Sequence, residues 1–380
     1  MVRFGMVGGG PGAFIGDVHR KALFMDHESE LVAGAFSRDY AKSLETGRAL
    51  EISEERVYAS YHDMAAAEGQ REDGIEVVSI VTPNHLHFDI AKAFLEQGIH
   101  VVCDKPVTVT AAEAIELKRI AEERKLLFCV TYTYSGYPIL SQAREMVADG
   151  RIGEIRVVQA EFPEGWLASR VEDEGDKQAS WRNDPAQSGA SNCTADLGSH
   201  VEHLVSFVTG LTIRSLCASM DTFVAGRQLD DNAAVMLRYS SGATGSYWVS
   251  YVAPGHDNGL RLRIYGSEGS LQWVQEDPDH LVYAPVTGAK QILSRGRFAD
   301  YPDGVHAARI PAGHPEGFYV AFANIYRAFL ADLRALKGGA AYETLPSRYP
   351  TIDDGIRGLK FVEACIRSSS DGGTWVELQE

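Results

Sequence analysis

The chain opens on a short apolar run, residues 2–7, that leads directly into Gly8-Gly9-Gly10-Pro11-Gly12-Ala13-Phe14-Ile15-Gly16. Glycine reaches positive φ without steric cost, so a strand ending in such a cluster can turn tightly and feed a helix at once. Gly8-x-Gly10-x-x-Ala13 has the spacing that lets a pyrophosphate approach the backbone and face the exposed N–H groups of the following helix. The longer interval to Gly16 leaves both Ala13 and Gly16 as candidates for the third small position.

Alternation continues through the first third of the chain. Residues 3–7, 31–36, 77–81, 100–103 and 126–131 read as buried parallel strands. Between them, 88–97 and 111–123 carry apolar residues at helical spacing, the latter behind Thr110 as N-cap. This predicts an α/β chain whose residues 1–131 form an N-terminal Rossmann domain with a doubly wound parallel sheet. Beyond that boundary the period changes to two, with predicted strands at 153–162, 214–222, 232–239, 244–251, 260–265 and 271–275. Turns such as Ser240-Ser241-Gly242 and Ser267-Glu268-Gly269 join several of them. Residues 132–380 are therefore expected to form a substrate-binding and oligomerisation α+β domain with a large, open, mixed and mostly antiparallel sheet. Predicted helices at 141–148, 199–208, 318–335 and 353–368 cover one face of it. The other face is expected to meet a second copy, in a homodimer or homotetramer.

Composition narrows the partners. A length of 380 residues allows two hydrophobic cores, and a net charge of −16 without a Lys/Arg run speaks against nucleic acid and anionic membrane surfaces. The five cysteines are far apart and form no CxxC pair, which fits reduced residues rather than a disulfide frame or zinc site. No basic and apolar leader precedes the first strand and no apolar run reaches membrane-spanning length, so a cytoplasmic location is expected.

The second predicted strand ends Ala33-Gly34-Ala35-Phe36-Ser37-Arg38-Asp39, without an acid at the first polar position, where a ribose 2′-hydroxyl is read. Ser37 and Arg38 suit a 2′-phosphate, while Asp39 remains a candidate for the ribose and Arg38 for packing on adenine. The expected cofactor is NAD or NADP, with NADP favoured.

Three later stretches, taken with the glycine loop, resemble the glucose-fructose oxidoreductase, inositol dehydrogenase and rhizopine catabolism family (Gfo/Idh/MocA) over essentially the whole chain. The first is Thr82-Pro83-Asn84-His85-Leu86-His87 with Cys103-Asp104-Lys105-Pro106, where the family usually has Glu-Lys-Pro. The second is Trp181-Arg182-Asn183-Asp184-Pro185 with Asp196-Leu197-Gly198-Ser199-His200, similar to the family's Asp-x-Gly-x-His signature, with Gly189-Ala190 in place of Gly-Gly. The third is the turn Ile264-Tyr265-Gly266-Ser267-Glu268-Gly269-Ser270-Leu271.

The resemblance implies an NAD(P)-dependent dehydrogenase or reductase that moves a hydride between the nicotinamide and a secondary alcohol or ketone of a sugar, sugar derivative or cyclitol. It implies catalytic roles for Lys105, Asp196 and His200. Lys105 would stabilise the reacting oxygen, a contribution of ~3 kcal/mol by analogy with an oxyanion donor. His200 would be the general base, and Asp196 would bind a neighbouring hydroxyl or orient the imidazole. Their spacing of four puts both on one helical face. Cofactor contacts are expected at Gly8, Gly10, Ala13, Phe14, Ile15, Ser37, Arg38, Thr82, Pro83, Asn84, His87, Asp104 and Lys105. Substrate contacts are expected at Lys105, Tyr132, Trp166, Trp181, Arg182, Asp196 and His200. His203 reads as a helix histidine rather than a metal ligand, and no metal is expected. Two other readings stay open: a sugar-sensing regulator without turnover, and a glycoside hydrolase that borrows the dinucleotide.

Overall fold

The structure is a computed structural model that describes residues 1–297 and 300–378. The chain divides into two compact units, the first formed by Met1–Thr133 with Tyr319–Ile356, the second by the described residues of Tyr134–Phe318 and Arg357–Glu380.

In the first unit, β1 (Val2–Gly8), β2 (Ser29–Ala35), β3 (Val77–Val81), β4 (His100–Cys103) and β5 (Phe128–Val130) form a parallel sheet in the order β2-β1-β3-β4-β5. All of β3 is buried, as a parallel strand covered on both faces must be. The chain leaves β1 toward β2 and returns on the other side to β3, so the loops after β1 and β3 diverge at their carboxyl ends. That is where open α/β sheets take their ligands. Thr110 caps the helix Ala111–Glu123 in a reciprocal capping box with Glu113, as the sequence pattern led us to expect.

A single cut at residue 131 assigned 319–356 to the second domain; the structure places this segment in the first unit instead. The apolar face of the helix Phe318–Lys337 explains the difference. Its Tyr326 ring meets Phe4 edge-on at 5.8 Å, and the Tyr326 hydroxyl reaches Ser79 Oγ at 2.8 Å and His19 Nδ1 at 2.7 Å.

The second unit is built on β6 (Ile155–Pro163), β7 (Ile213–Asp221), β8 (Asn232–Tyr239), β9 (Thr244–Ser250), β10 (Arg261–Gly266), β11 (Gly269–Val274), β12 (His280–Pro285), β13 (Gln291–Ser294) and β14 (Val376–Glu377). Among the described residues these make one sheet, β13-β12-β11-β10-β6-β9-β8-β7-β14, in which β6 and β9 pair in parallel and every other neighbour is antiparallel. The sequence pattern missed β12, β13 and β14, which lie at or near the sheet edges, the last two being only four and two residues long. One face is apolar and buried, with Val158, Phe162, Val235, Tyr247, Leu262 and Trp273 among its side chains. Aromatic contacts such as Tyr247 on Phe361 at 5.8 Å and Trp273 on Tyr137 at 5.6 Å tie it to the helices that cover it. On the other face Val157, Met236, Trp248 and Tyr265 are exposed. Among the described residues no helix is long and apolar enough to cross a membrane.

Candidate functional site

In the first unit the glycine loop forms a cradle that side chains would fill. Gly8, Gly9 and Gly12 have positive φ. A Cβ at Gly16 would come within 2.4 Å of the Gly9 Cα, and one at Gly10 within 2.9 Å of the Phe36 carbonyl oxygen. Of the two candidates for the third small position, Gly16 is the one whose lack of a side chain lets helix and loop approach. The helix Phe14–Phe24 starts behind Ala13 with no side-chain cap, which leaves its first N–H groups for a ligand. Arg20 steadies the loop from one turn below, donating to the Gly9 carbonyl at 2.9 Å. Phe14 is exposed, whereas the Ile15 side chain packs against a core of Met6, Phe36 and Val81, so Ile15 offers a ligand its backbone only. A dinucleotide fits this cradle: its walls close where a Cβ would stand, and the Thr82 hydroxyl at the end of β3 is buried with no hydrogen-bond partner among the described residues.

Ser37 lies beside Gly10, and its Oγ accepts from the Asp39 amide at 3.1 Å. Asp39 in turn caps the helix Tyr40–Ala49 by accepting from Ala41 N at 3.0 Å, which gives that carboxylate a structural task. Arg38 is exposed. Asn84 is buried in the turn after Pro83. At the end of β4 the Asp104 Oδ1 accepts from Lys105 N at 3.0 Å and from Thr131 Oγ1 at 2.9 Å. The shorter carboxylate at 104 thus serves the backbone of the lysine loop. Lys105 is half-buried and the Lys105–Pro106 peptide is cis.

One expected contact is corrected here. His87 does not present a nitrogen to a ligand: its ring is 1% exposed, and the two nitrogens lie 2.8 Å from the carbonyl oxygens of Pro106 and Thr82. Tyr132 is also 1% exposed.

In the second unit the residues Thr194–Gly198 form a π-helical turn that continues into the α-helix Ser199–Thr209. The plain α-helical spacing expected between Asp196 and His200 is therefore widened, a form of helix found disproportionately at functional sites. The buried Asp230 carboxylate pins the start of the turn by accepting from Asn192 N at 2.8 Å and from Thr194 N and Oγ1 at 2.7 Å each. Asp196 Oδ2 accepts from Arg182 Nε at 2.8 Å and from the Tyr251 hydroxyl in a short hydrogen bond. Burial disfavours the Arg182 charge, but Asp196 and Tyr251 more than offset this and raise its pKa. Burial, with Asp196 adding to it, pushes the Tyr251 hydroxyl far above the usual tyrosine value, so Tyr251 stays a donor. The Arg182 guanidinium stacks over Trp181 at 4.4 Å and near Trp166 at 6.0 Å, and Trp166 meets Tyr251 edge-on at 5.6 Å. His200 is mostly buried against the Tyr134 ring at 4.8 Å. Trp166, Trp181, Arg182 and Asp196 are thus brought together in one cluster with Tyr251. Tyr251 and Asp230 were not anticipated; the sequence signal for Tyr251 was its place at the end of an alternating strand, and for Asp230 there was none. Among the described residues no group of three or more His, Cys, Asp or Glu is arranged to hold a metal ion.

Residues 2–132 match the family model described as oxidoreductase family, NAD-binding Rossmann fold, and residues 140–272 match the GFO/IDH/MocA C-terminal domain. The uncharacterized oxidoreductase YfiI of Bacillus subtilis (strain 168) is 40% identical over 387 residues, covering 100% of this chain and 97% of that protein. The chain belongs to the GFO/IDH/MocA oxidoreductase family. Among solved structures, an inositol dehydrogenase homolog from Azotobacter vinelandii complexed with NAD+ is similar at a TM-score of 0.94 and 39% identity, covering 99% of this chain and 97% of that one. The complex of an inositol dehydrogenase homolog from the same organism with NADH and myo-inositol gives a TM-score of 0.92 at 38% identity, with the same coverage. For a GFO/IDH/MocA chain, the departure at Asp104 is accommodated locally, since its carboxylate accepts from the amide of the lysine that follows.

Proposed function

We propose that this protein is an NAD(P)-dependent dehydrogenase of a secondary alcohol on a sugar, sugar derivative or cyclitol, with Lys105, Asp196 and His200 as its catalytic residues. The observation that carries the reading is the Asp196 carboxylate, held by Arg182 and Tyr251 on the turn that leads into His200. A regulator that only senses sugar can use such an acceptor, but has no need of Lys105, Asp196 and His200 together. The myo-inositol in the similar Azotobacter vinelandii structure supports a cyclitol or sugar as substrate.

When bound, the nicotinamide supplies the hydride acceptor. His200 takes the hydroxyl proton as the hydride leaves the same carbon, and Lys105 donates to the oxygen as negative charge grows on it. Asp196 accepts from a neighbouring substrate hydroxyl, its orientation fixed by Arg182 and Tyr251. Trp166 and Trp181 give the apolar face of a sugar ring aromatic surfaces to rest on. The first unit holds the dinucleotide with the backbone of Gly8, Gly10, Ala13, Phe14 and Ile15, and with Thr82, Pro83 and Asn84. Ser37 and Arg38 favour NADP, while the NAD+ and NADH of the similar structures support NAD.

The exposed face of the large sheet supports association with a second copy. On it Glu161 pairs with Arg261 at 3.2 Å and Arg263 at 3.3 Å, amid the exposed Val157, Met236, Trp248 and Tyr265. Such an apolar face with a charged centre is suited to a self-complementary contact in a homodimer or homotetramer. All five cysteines are free, which supports a reducing, cytoplasmic setting.

The test is turnover. Purified protein with NAD+ or NADP+ and a panel of inositols, sugars and polyols is followed at the absorbance of the reduced nicotinamide. Reduction with one or more members supports the reading. No turnover with any of them, together with tight sugar binding, sinks it in favour of a regulator; release of a glycosidic leaving group without net reduction favours a hydrolase.

A further inference from the structure

His87 is the first residue of the helix His87–Glu96, and its ring lies between the loops that follow the adjacent strands β3 and β4. Its Nδ1 is 2.8 Å from the Pro106 carbonyl oxygen and its Nε2 is 2.8 Å from the Thr82 carbonyl oxygen. Thr82 precedes Pro83-Asn84, and Pro106 follows Lys105. We propose that His87 is a positioning residue, which fixes the lysine loop against the Thr82-Pro83-Asn84 loop and thereby sets the Lys105 amine. The inference rests on the dehydrogenase reading, in which that amine bonds the reacting oxygen.

Other hydrogen bonds hold the lysine loop on both sides of Lys105, Cys103 Sγ reaching the Val107 carbonyl at 4.0 Å and Val109 N the Glu113 carboxylate at 3.2 Å. Asp104 N bonds the Ile80 carbonyl at 3.0 Å, and the Asp104 carboxylate holds Lys105 N and the Thr131 hydroxyl. Downstream, the Pro106 carbonyl is held by His87. A carbonyl oxygen accepts only, so each ring nitrogen must bring a proton to bond it. A neutral imidazole secures one loop per tautomer, and the doubly protonated ring secures both. Burial lowers the His87 pKa below the usual histidine value, against the Asp104 carboxylate and the two carbonyls and with His85 assisting, so the neutral ring, bonding one carbonyl at a time, is the favoured form; His19 is a further titratable group within electrostatic reach. Few other side chains of this size carry two nitrogens able to span two carbonyls. A shift of about 1 Å in a reacting group costs up to about 100-fold in rate, so loss of this tie reaches turnover without touching substrate.

The experiment compares His87→Phe, which keeps a ring and removes both nitrogens, with His87→Gln, which donates to one carbonyl. NADP+ and NAD+ affinities are read by protein fluorescence, and kcat and KM with the active polyol, on samples shown to be folded at the assay temperature by circular dichroism. For His87→Phe, kcat is expected to fall at least about fivefold and the cofactor Kd to rise at least about threefold, with the polyol KM within about twofold of wild type. His87→Gln is expected to lie between. A smaller fall in kcat, or an unmoved cofactor Kd, overturns the proposal. Should His87→Phe fail to fold, His87→Gln decides: a fall in kcat of about threefold or more at unchanged polyol KM supports it, and anything less overturns it. Lys105→Ala is measured alongside. If it is inactive while His87→Phe is unaffected, only the positioning role falls; if Lys105→Ala turns over at the wild-type rate, the role of the amine falls and the positioning proposal with it; if the wild type reduces neither NAD+ nor NADP+ with any member of the panel, the dehydrogenase reading falls first.

Discussion

Arg182 Nε and the hydroxyl of Tyr251 both donate to the same oxygen of Asp196, Oδ2, and the guanidinium is itself sandwiched against Trp181. The aspartate is therefore an oriented hydrogen-bond acceptor. Replacing Arg182 by Leu removes a charged donor to a half-buried carboxylate, and hydrogen bonds to charged groups contribute about 1.5–3 kcal/mol. We expect kcat/KM to fall by roughly 10- to 100-fold, with cofactor affinity unchanged because Arg182 lies outside the glycine cradle. Tyr251→Phe should lose less, since Arg182 remains. Steady-state kinetics on both variants checks the order; Arg182→Leu as active as wild type would show that Asp196 needs no such support.

The contact between Gly16 and Gly9 makes a second prediction. A methyl group at position 16 would stand 2.4 Å from a backbone atom, which no side-chain rotation relieves. Gly16→Ala should force loop and helix apart and weaken dinucleotide binding by about tenfold or more, comparable to losing one well-placed hydrogen bond to a charged ligand. Gly12→Ala meets no atom within 4 Å, although its φ of +78° is strained for alanine, and is expected to lower stability more than affinity. Fluorescence titration with NAD+ and NADP+ separates the two effects.

These residues also show what the sequence made legible. The strand and glycine turn were readable because backbone freedom at Gly8 and Gly10 is a property of residue type, and the parallel strands because burial on both faces demands continuous apolar runs such as Val77–Val81. The cluster of Arg182 with Asp196 was readable only as motif membership. Nothing in the sequence says that Tyr251, more than fifty residues on, closes the same oxygen, since that contact depends on how the end of β9 packs against the π-helical turn. The π-helical turn was equally hidden, because it depends on Asp230 reaching Thr194 across 36 residues. His87 misled for a related reason: its place in a ligand-side motif is visible, while the two carbonyls that occupy its ring come from the folded loops.

Cofactor choice gives a third prediction. Ser37 Oγ accepts from the Asp39 amide, and an aspartate at 37 keeps an acceptor there while adding a carboxylate beside the loop. Ser37→Asp should favour the ribose hydroxyl and repel a 2′-phosphate, shifting the ratio of NADP to NAD efficiency toward NAD by about tenfold or more. An unchanged ratio would mean that another residue decides.

His200 carries the fourth. Its removal deletes the proposed base while leaving the first unit's cradle intact, so His200→Ala should reduce kcat by about 100- to 10,000-fold with little change in cofactor Kd. Turnover close to wild type in that variant would refute the assignment.

The last concerns acid stability. His100 Nδ1 accepts from the Leu127 amide at 2.9 Å, so the ring must be neutral for that bond to exist. Burial pulls its pKa to about 4, with Glu76 opposing and Lys337 assisting. Burial likewise pulls His19 to about 4. Both values lie below that of an unfolded histidine, so between pH 6.5 and 4 the unfolded chain binds more protons and stability falls as pH falls. At pH 5 a shift of that size corresponds to about 2 kcal/mol per histidine, taken as an upper value. His100→Gln keeps an acceptor for Leu127 but cannot take up a proton in this range. We therefore expect the urea midpoint of the wild type to drop between pH 7 and pH 5 by more than that of His100→Gln. Equal drops would mean that the ring at 100 is already protonated in the folded protein, and that the Leu127 amide is bonded elsewhere.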